Sequence, residues 1–250
     1  MRHVDRLLSS FTDPIFIAKH WQKEPKVWND LKKYFIKTSN FGNYLKLIDR
    51  HLREFPDSLA FLVKGKQVDF NQITASDDLA TNDLLQYLQW HPMLVQSLYL
   101  SNEFFAQLAT LMQYHFNAFT PTSAYFSYGG TRGAKKHRDR SHIFVFQFDG
   151  KCRWILHSKN KRTEIMDVVM KPGMVMYVPQ GIYHRVERIS DFNAHVTMGL
   201  RFLHPRDEMQ QMLRNPILHP ALPDELLTLS ANAQTDLLEK YSNQPLVRDN

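Results

Sequence analysis

The chain has 250 residues, 43% hydrophobic, with 31 Lys and Arg against 25 Asp and Glu for a net charge of +6. This suits one large domain or a core with appendages. The single cysteine, Cys152, excludes an intrachain disulfide and suits a reducing, cytoplasmic setting. No apolar run approaches a membrane span, and the start MRHVDRLLSSFTDPIF lacks the apolar stretch of a secretory signal, so no membrane partner is expected. The basic residues are scattered, densest from Arg132 to Arg140, and read as a soluble surface rather than a site of direct nucleic-acid recognition.

Residues 12 to 37 read as helical, with Thr12 or Asp13 as cap and Pro14 at the first position. His3-Val4-Asp5, before them, reads as a frayed terminus. Trp21, Trp28, Tyr34 and Phe35 read as packing aromatics. After a loop at Asn40 to Asn43, residues 43 to 54 read as a helix with Tyr44, Leu45, Leu47 and Ile48 on one side. Pro56-Asp57-Ser58 breaks the chain. Leu59 to Val63 reads as a strand, turned by Gly65-Lys66 toward Val68 and Phe70. Leu79 to Trp90 reads as a helix that His91-Pro92 ends. Met93 to Leu100 reads as a strand. Ser101 reads as the cap of a long helix to Phe116, with Phe104, Leu108, Leu111, Met112 and Tyr114 as its buried stripe and His115 packed among them.

From Ser123 the pattern changes to short strands: 123 to 128, 137 to 148, 151 to 157, 164 to 170, 174 to 178, 182 to 188 and 193 to 202. Turns fall at Asp149-Gly150, Pro172-Gly173 and Pro179-Gln180-Gly181. Many short strands with such turns suggest a sandwich or barrel. After Phe202, residues 207 to 214 and 223 to 241 read as amphipathic helices. The class is α+β, in three parts: a mainly helical region with strands joining the core (1–122), the β core (123–203) and a short helical extension (204–250).

Inside the first core strands lies His137-Arg138-Asp139. Alternation points His137 and Asp139 the same way. An imidazole and a carboxylate side by side form two-thirds of a metal site, and His184, at the end of MKPGMVMYVPQGIYH, fits the missing third. Two neutral imidazoles and a carboxylate are the facial triad that suits non-haem Fe(II). The spacing alone is weak, since His3-Val4-Asp5 repeats it. The context gives the second copy weight: Gly129, Gly130 and Gly133 precede it, and the apolar strands Ile143 to Phe148 and Cys152 to Leu156 follow. A plain His–Asp pair on a strand is the structural alternative.

The blocks HRDRSHIFVFQFDGKCRW, MKPGMVMYVPQGIYH and AHVTMGL resemble the JmjC-type cupin oxygenases, most nearly the branch of ribosomal-protein hydroxylases. The resemblance extends upstream through PIFIAKHWQKEPKVW and covers roughly residues 10 to 203. It implies a double-stranded β-helix, the cupin form of the jelly roll. By the same resemblance His137, Asp139 and His184 are Fe(II) ligands and catalytic residues, and 2-oxoglutarate is the co-substrate. The substrate would be a side chain in a protein or peptide, with ribosomal proteins among the candidates. Tyr125 and Thr197 match family residues that contact the co-substrate. His195 shares the face of Thr197 and reads equally as a group backing the site or as a packed histidine. The branch forms dimers through helices outside the barrel, so the segments at 207–214 and 223–241 either build a homodimer or pack on their own barrel. The C-terminal stretch is shorter than the branch's winged-helix extension, which weakens transfer of its substrate.

One position departs from the pattern. Family members carry a lysine or arginine fifteen residues after the first metal-binding histidine, where it pairs with the far carboxylate of 2-oxoglutarate. Here that position is Cys152. Arg201 and Arg153 are the expected substitutes. The alternatives are a metal-binding cupin scaffold without turnover, and another metal-cupin enzyme.

Overall fold

The computed structural model describes residues 3–37, 39, 43–63, 66–70, 91–128 and 134–202. The helices expected at 79–90, 207–214 and 223–241 lie outside these residues.

Among the described residues, twelve strands form two antiparallel sheets. The first has eight: β1 (Lys26–Trp28), β2 (Leu59–Val63), β3 (Lys66–Asp69), β4 (Met93–Val95), β5 (Thr122–Tyr128), β7 (His142–Asp149), β10 (Val175–Val178) and β12 (Phe192–Leu200), in the order β1-β10-β7-β12-β5-β4-β2-β3. The second has four: β6 (His137–Arg138), β8 (Cys152–His157), β9 (Glu164–Met170) and β11 (Tyr183–Arg188), in the order β6-β11-β8-β9. Five described helices accompany them: α1 (His3–Phe11), α2 (Pro14–Lys19), α3 (Lys32–Phe35), α4 (Tyr44–Glu54) and α5 (Glu103–Phe116).

Strand alternation sorts the core into two. On β7 the residues Phe144, Phe146 and Phe148 face the helices and join Phe11, Phe16, Phe35 and Phe105 in one cluster. Phe11 lies 4.6 Å from Phe144, and Phe35 lies 5.0 Å from Phe148, ring centre to ring centre. Ile143 and Val145, between them in sequence, point the other way. They meet Trp154, Leu156, Met170, Met176 and Val178 in a second cluster between the sheets. A period of two therefore places every second residue of β7 in each core. The β7–β8 hairpin closes at Gly150, whose φ of +64° suits glycine; a Cβ there would also collide with the Phe192 carbonyl.

Several expectations change. The start is not frayed: Val4, Leu7 and Phe11 form the buried stripe of α1. Residues 12 to 37 are not one helical stretch, because Lys26–Trp28 pairs with β10 as an edge strand beyond Pro25. Trp28 nevertheless packs, 5.3 Å from Phe11. The single strand expected over 137 to 148 is two strands in different sheets, and the chain crosses between them at Asp139 to Ser141. Met93 to Leu100 is strand only to Val95 and ends in a 3-10 turn at Leu98–Leu100. The cap of α5 is Asn102, whose side chain accepts the Phe105 N–H at 3.2 Å. Tyr114 is 89% exposed and Leu45 is 72% exposed, so neither belongs to a buried stripe. His115 is exposed, with its ring edge-on to Phe116 at 5.0 Å.

Phe11→Ala should destabilise the fold by about 3–5 kcal/mol in urea denaturation, the usual cost of emptying an aromatic site in a core, while Tyr114→Ala should change it by less than about 0.5 kcal/mol. Two buried histidines predict a pH dependence. His51 lies 2.6 Å from the hydroxyls of both Ser58 and Ser101, and His142 lies 2.9 Å from the Tyr177 hydroxyl. Burial pushes both imidazoles down to about 4. Unfolded histidines titrate near 6.5, so between those values the unfolded chain binds more protons. Stability should be full above about pH 6.5 and fall as the pH drops toward 4, by up to about 3 kcal/mol per histidine. Urea midpoints at pH 7 and 4.5 measure this, and His51→Gln should flatten the difference.

Candidate metal centre

β6 is two residues long and pairs with the start of β11, setting His137 directly opposite His184. The two rings lie 4.2 Å apart. Asp139 follows β6, and its carbonyl accepts the Gly181 N–H at 3.2 Å, which ties the crossing to the turn before β11. Its carboxylate oxygens stand 3.8 Å from Nε2 of His137 and 3.7 Å from Nε2 of His184. One ligand atom from each residue lies within 4.8 Å of the other two.

The backbone selects the tautomers. Nδ1 of His137 lies 2.7 Å from the Lys135 carbonyl, and Nδ1 of His184 lies 3.2 Å from the Ile182 carbonyl. A carbonyl only accepts, so each Nδ1 carries the proton and each Nε2 presents a lone pair. The His184 side chain is 2% exposed, and burial lowers its pKa; Asp139 opposes that shift and His137 adds to it. It is therefore neutral, as a ligand must be. The His137 and Asp139 side chains are 46% and 35% exposed, so the site opens on their side. Donors about 2 Å from one ion stand roughly 3–4 Å apart, so this donor set fits a divalent metal.

A row of rings leads inward. Trp154 stacks on His184 at 5.4 Å and meets His195 edge-on at 6.1 Å. His195 stacks on Tyr125 at 4.9 Å with the planes 5° apart. Register places Tyr125 opposite His195 and Ser123 opposite Thr197. On β5, Ser123, Tyr125 and Ser127 are partly exposed, whereas Ala124 and Phe126 on the other face are buried. β12 repeats this, with His195 and Thr197 partly exposed between buried Ala194, Val196 and Met198. The inner face here lines an opening. Burial, then the charge of Asp139, pushes the Tyr125 hydroxyl up to about 12, so it remains a proton donor. Burial pushes His195 down to about 4 and keeps it neutral.

The remaining expected residues are not drawn together. Arg201 pairs through its backbone with Phe119 beyond the end of β12. Cys152 follows the hairpin after Asp149, which is level with Ala194 at the other end of that strand. Seven residues separate Ala194 from Arg201, roughly 23 Å of strand. Arg153 points outward, bonded to Asp167 at 2.5 Å and 3.8 Å from Glu187. Cys152 is buried, and burial pushes its thiol up to about 12, so it supplies no charge. Trp154 and Arg188 had no expected role, yet parity with His184 marks Arg188 as inward-facing. A separate cavity of about 600 Å³ between α4 and α5, lined by Asn43, Lys46, Arg50, Asn102 and Glu103, holds none of the three candidate ligands.

The two sheets build a double-stranded β-helix, the cupin fold, with the three-donor cluster at one end. Residues 94–207, a little under half of the chain, match the family model of the JmjC domain. The chain is 22% identical over 217 residues to the bifunctional lysine-specific demethylase and histidyl-hydroxylase NO66 of Dictyostelium discoideum, covering 77% of this chain and 40% of that protein. It is 23% identical over 136 residues to ribosomal oxygenase 1 of Gallus gallus, covering 47% of this chain and 23% of that protein. The chain thus spans less than half the length of these curated relatives. Among solved structures, the ribosomal oxygenase YcfD from Escherichia coli matches with a TM-score of 0.56 and 22% identity over 93% of this chain and 66% of that one. A second structure of YcfD, in complex with cobalt and 2-oxoglutarate, matches with a TM-score of 0.55 and 22% identity over 93% and 67%. At that identity the likeness establishes the fold.

His137→Ala, Asp139→Ala and His184→Ala should each weaken Fe(II) or Mn(II) binding by at least about a hundred-fold, since each removes one of three donors. His3→Ala, the control from the same spacing in α1, should leave it unchanged. Anaerobic titration calorimetry measures both.

Proposed function

We propose that the protein is an Fe(II)- and 2-oxoglutarate-dependent oxygenase that hydroxylates a side chain of a protein or peptide. The observation that carries this reading is the His137–Asp139–His184 cluster, three donors on one side of a point that opens outward. Fe(II) and the oxoacid, when bound, would supply oxidative decarboxylation to succinate coupled to hydroxylation of a C–H bond. The chain's own groups do the rest. The Nδ1–H bonds to Lys135 and Ile182 hold the imidazoles in the donating orientation. Tyr125 and Thr197 offer hydroxyl donors to a carboxylate on the inner face. Trp154, Leu156 and Val186 exclude water from the inner side.

The names of the relatives, histidyl-hydroxylase and ribosomal oxygenase, support a protein substrate and make ribosomal proteins the first to test. Cytoplasm is the setting we propose, supported by the lone unpaired thiol. A second reading, a cupin that keeps the metal without turnover, draws on the neutral Cys152 where relatives of the resembled branch carry a cation.

Release of succinate from 2-oxoglutarate by the anaerobically Fe(II)-loaded protein after admission of oxygen separates the two. We expect succinate above the protein-free control, reduced to that control by Asp139→Ala. Tight metal binding with no succinate from the parent protein, alone or with ribosomal proteins, would favour the second reading.

A further inference from the structure

The cavity between α4 and α5 shares no lining residue with the three-donor cluster, and its volume of about 600 Å³ falls in the range of small-molecule pockets. It lies where two helices begin: the caps Asn43 and Asn102 both line it. Asn43 Oδ1 accepts the Lys46 N–H at 3.3 Å, and Asn102 Oδ1 accepts the Phe105 N–H at 3.2 Å. Each cap satisfies only one of the N–H groups that a helix start leaves over. Those of Glu103 and Phe104, both on the cavity wall, have no acceptor among the described residues. Such N–H groups and the helix dipole favour a negative charge in front of them.

A buried hydroxyl at the same place also lacks a partner. Ser39 lines the cavity and is 2% exposed, yet its Oγ makes no hydrogen bond among the described residues. Its carbonyl accepts Asn102 Nδ2 at 2.8 Å, which sets the residue at the start of α5. Buried polar groups are normally paired, so an unmet hydroxyl on a cavity wall marks the place of a missing partner.

The charges divide the cavity into two ends. Lys46 and Arg50 lie one turn apart on α4. Arg50 is committed: its Nε donates to Glu54 at 2.8 Å and its Nη1 to the Ser101 carbonyl at 3.3 Å. Lys46 is exposed and has no carboxylate partner among the described residues. On α5, Glu103 accepts Gln107 Nε2 at 2.9 Å, which draws its carboxylate one turn along the helix, away from the start. One end therefore offers an ammonium, a hydroxyl and backbone N–H groups. The other offers a carboxylate and an amide.

We propose that this cavity binds a small phosphate ester of a hydroxyl-bearing molecule, of the size of a pentose phosphate. The phosphate takes Lys46, the Ser39 hydroxyl and the first N–H groups of α5. The hydroxyls of the body take Glu103 and Gln107. Phosphate oxygens accept charge-assisted bonds, which matches the donor end, and hydroxyls both donate and accept, which matches the other. The site stands apart from the His137–Asp139–His184 cluster and does not rest on the oxygenase reading.

Calorimetry on the full chain compares ribose 5-phosphate, inorganic phosphate and ribose. Ribose 5-phosphate should bind several-fold tighter than phosphate, and ribose alone should give no heat. Lys46→Glu should weaken ribose 5-phosphate by at least about ten-fold, the least that loss of a charge-assisted bond costs. Ser39→Ala should weaken it several-fold and leave the melting temperature no lower, because that hydroxyl is unpaired in the free protein. Glu103→Gln removes a like charge, so it should strengthen phosphate and narrow the gap between ester and phosphate. Asp139→Ala should bind all three like the parent, which separates the cavity from the metal centre. Phosphate bound as tightly as the ester would mean an adventitious ion only and would overturn the proposal. No binding of either at millimolar concentration would overturn it too, as would Lys46→Glu and Ser39→Ala binding the ester like the parent.

Discussion

The two-residue pairing of β6 with β11 is the contact on which the site depends. It places an exposed histidine opposite a buried one and leaves Asp139 at the point where the chain crosses from one sheet to the other. A crossing is where backbone groups lose their ladder partners. Here the Asp139 carbonyl takes the Gly181 N–H, so the crossing and the β10–β11 turn support each other. Gly181 adopts a φ of +81°, a conformation that glycine enters without steric cost. The cluster is thus held by backbone pairing, and its side chains need only small movements to close on an ion.

The large sheet provides the rigid wall behind that pairing. Its outer face is packed by aromatic residues against α1, α2, α3 and α5, and its inner face turns from aliphatic on β7 and β10 to polar on β5 and β12. One alternating sequence therefore supplies both a hydrophobic core and the lining of an opening. The ring row from His184 through Trp154 and His195 to Tyr125 joins the His137–Asp139–His184 cluster to the polar lining. Burial keeps Tyr125 protonated and His195 neutral. The space behind the cluster is then lined by hydroxyl donors and uncharged rings.

Much of this was legible in the sequence because a period of two and turn residues survive without tertiary information. The strands at 164–170 and 152–157 and the hairpin at Asp149-Gly150 follow from alternation and glycine. The His-x-Asp spacing gained its meaning from a histidine forty-five residues after Asp139, which alternation alone could not bring near. Failures fell where a tertiary partner decides. Lys26–Trp28 is a strand only because β10 offers an edge, and Tyr114 is exposed although its spacing suits a buried stripe. α1 was missed for another reason: the stripe Val4, Leu7, Phe11 is present in the sequence, but charged neighbours and the terminal position hid it. The strand partner of Cys152 lies thirty-six residues on, at Arg188, a pairing that sequence neighbourhood does not reveal.

A structure of the chain with Mn(II) and N-oxalylglycine, an unreactive analogue of 2-oxoglutarate, tests the whole account at once. The account predicts one ion bound by Nε2 of His137, Nε2 of His184 and a carboxylate oxygen of Asp139, each at about 2.0–2.2 Å. An ion bound elsewhere, or bound without Asp139, would contradict it.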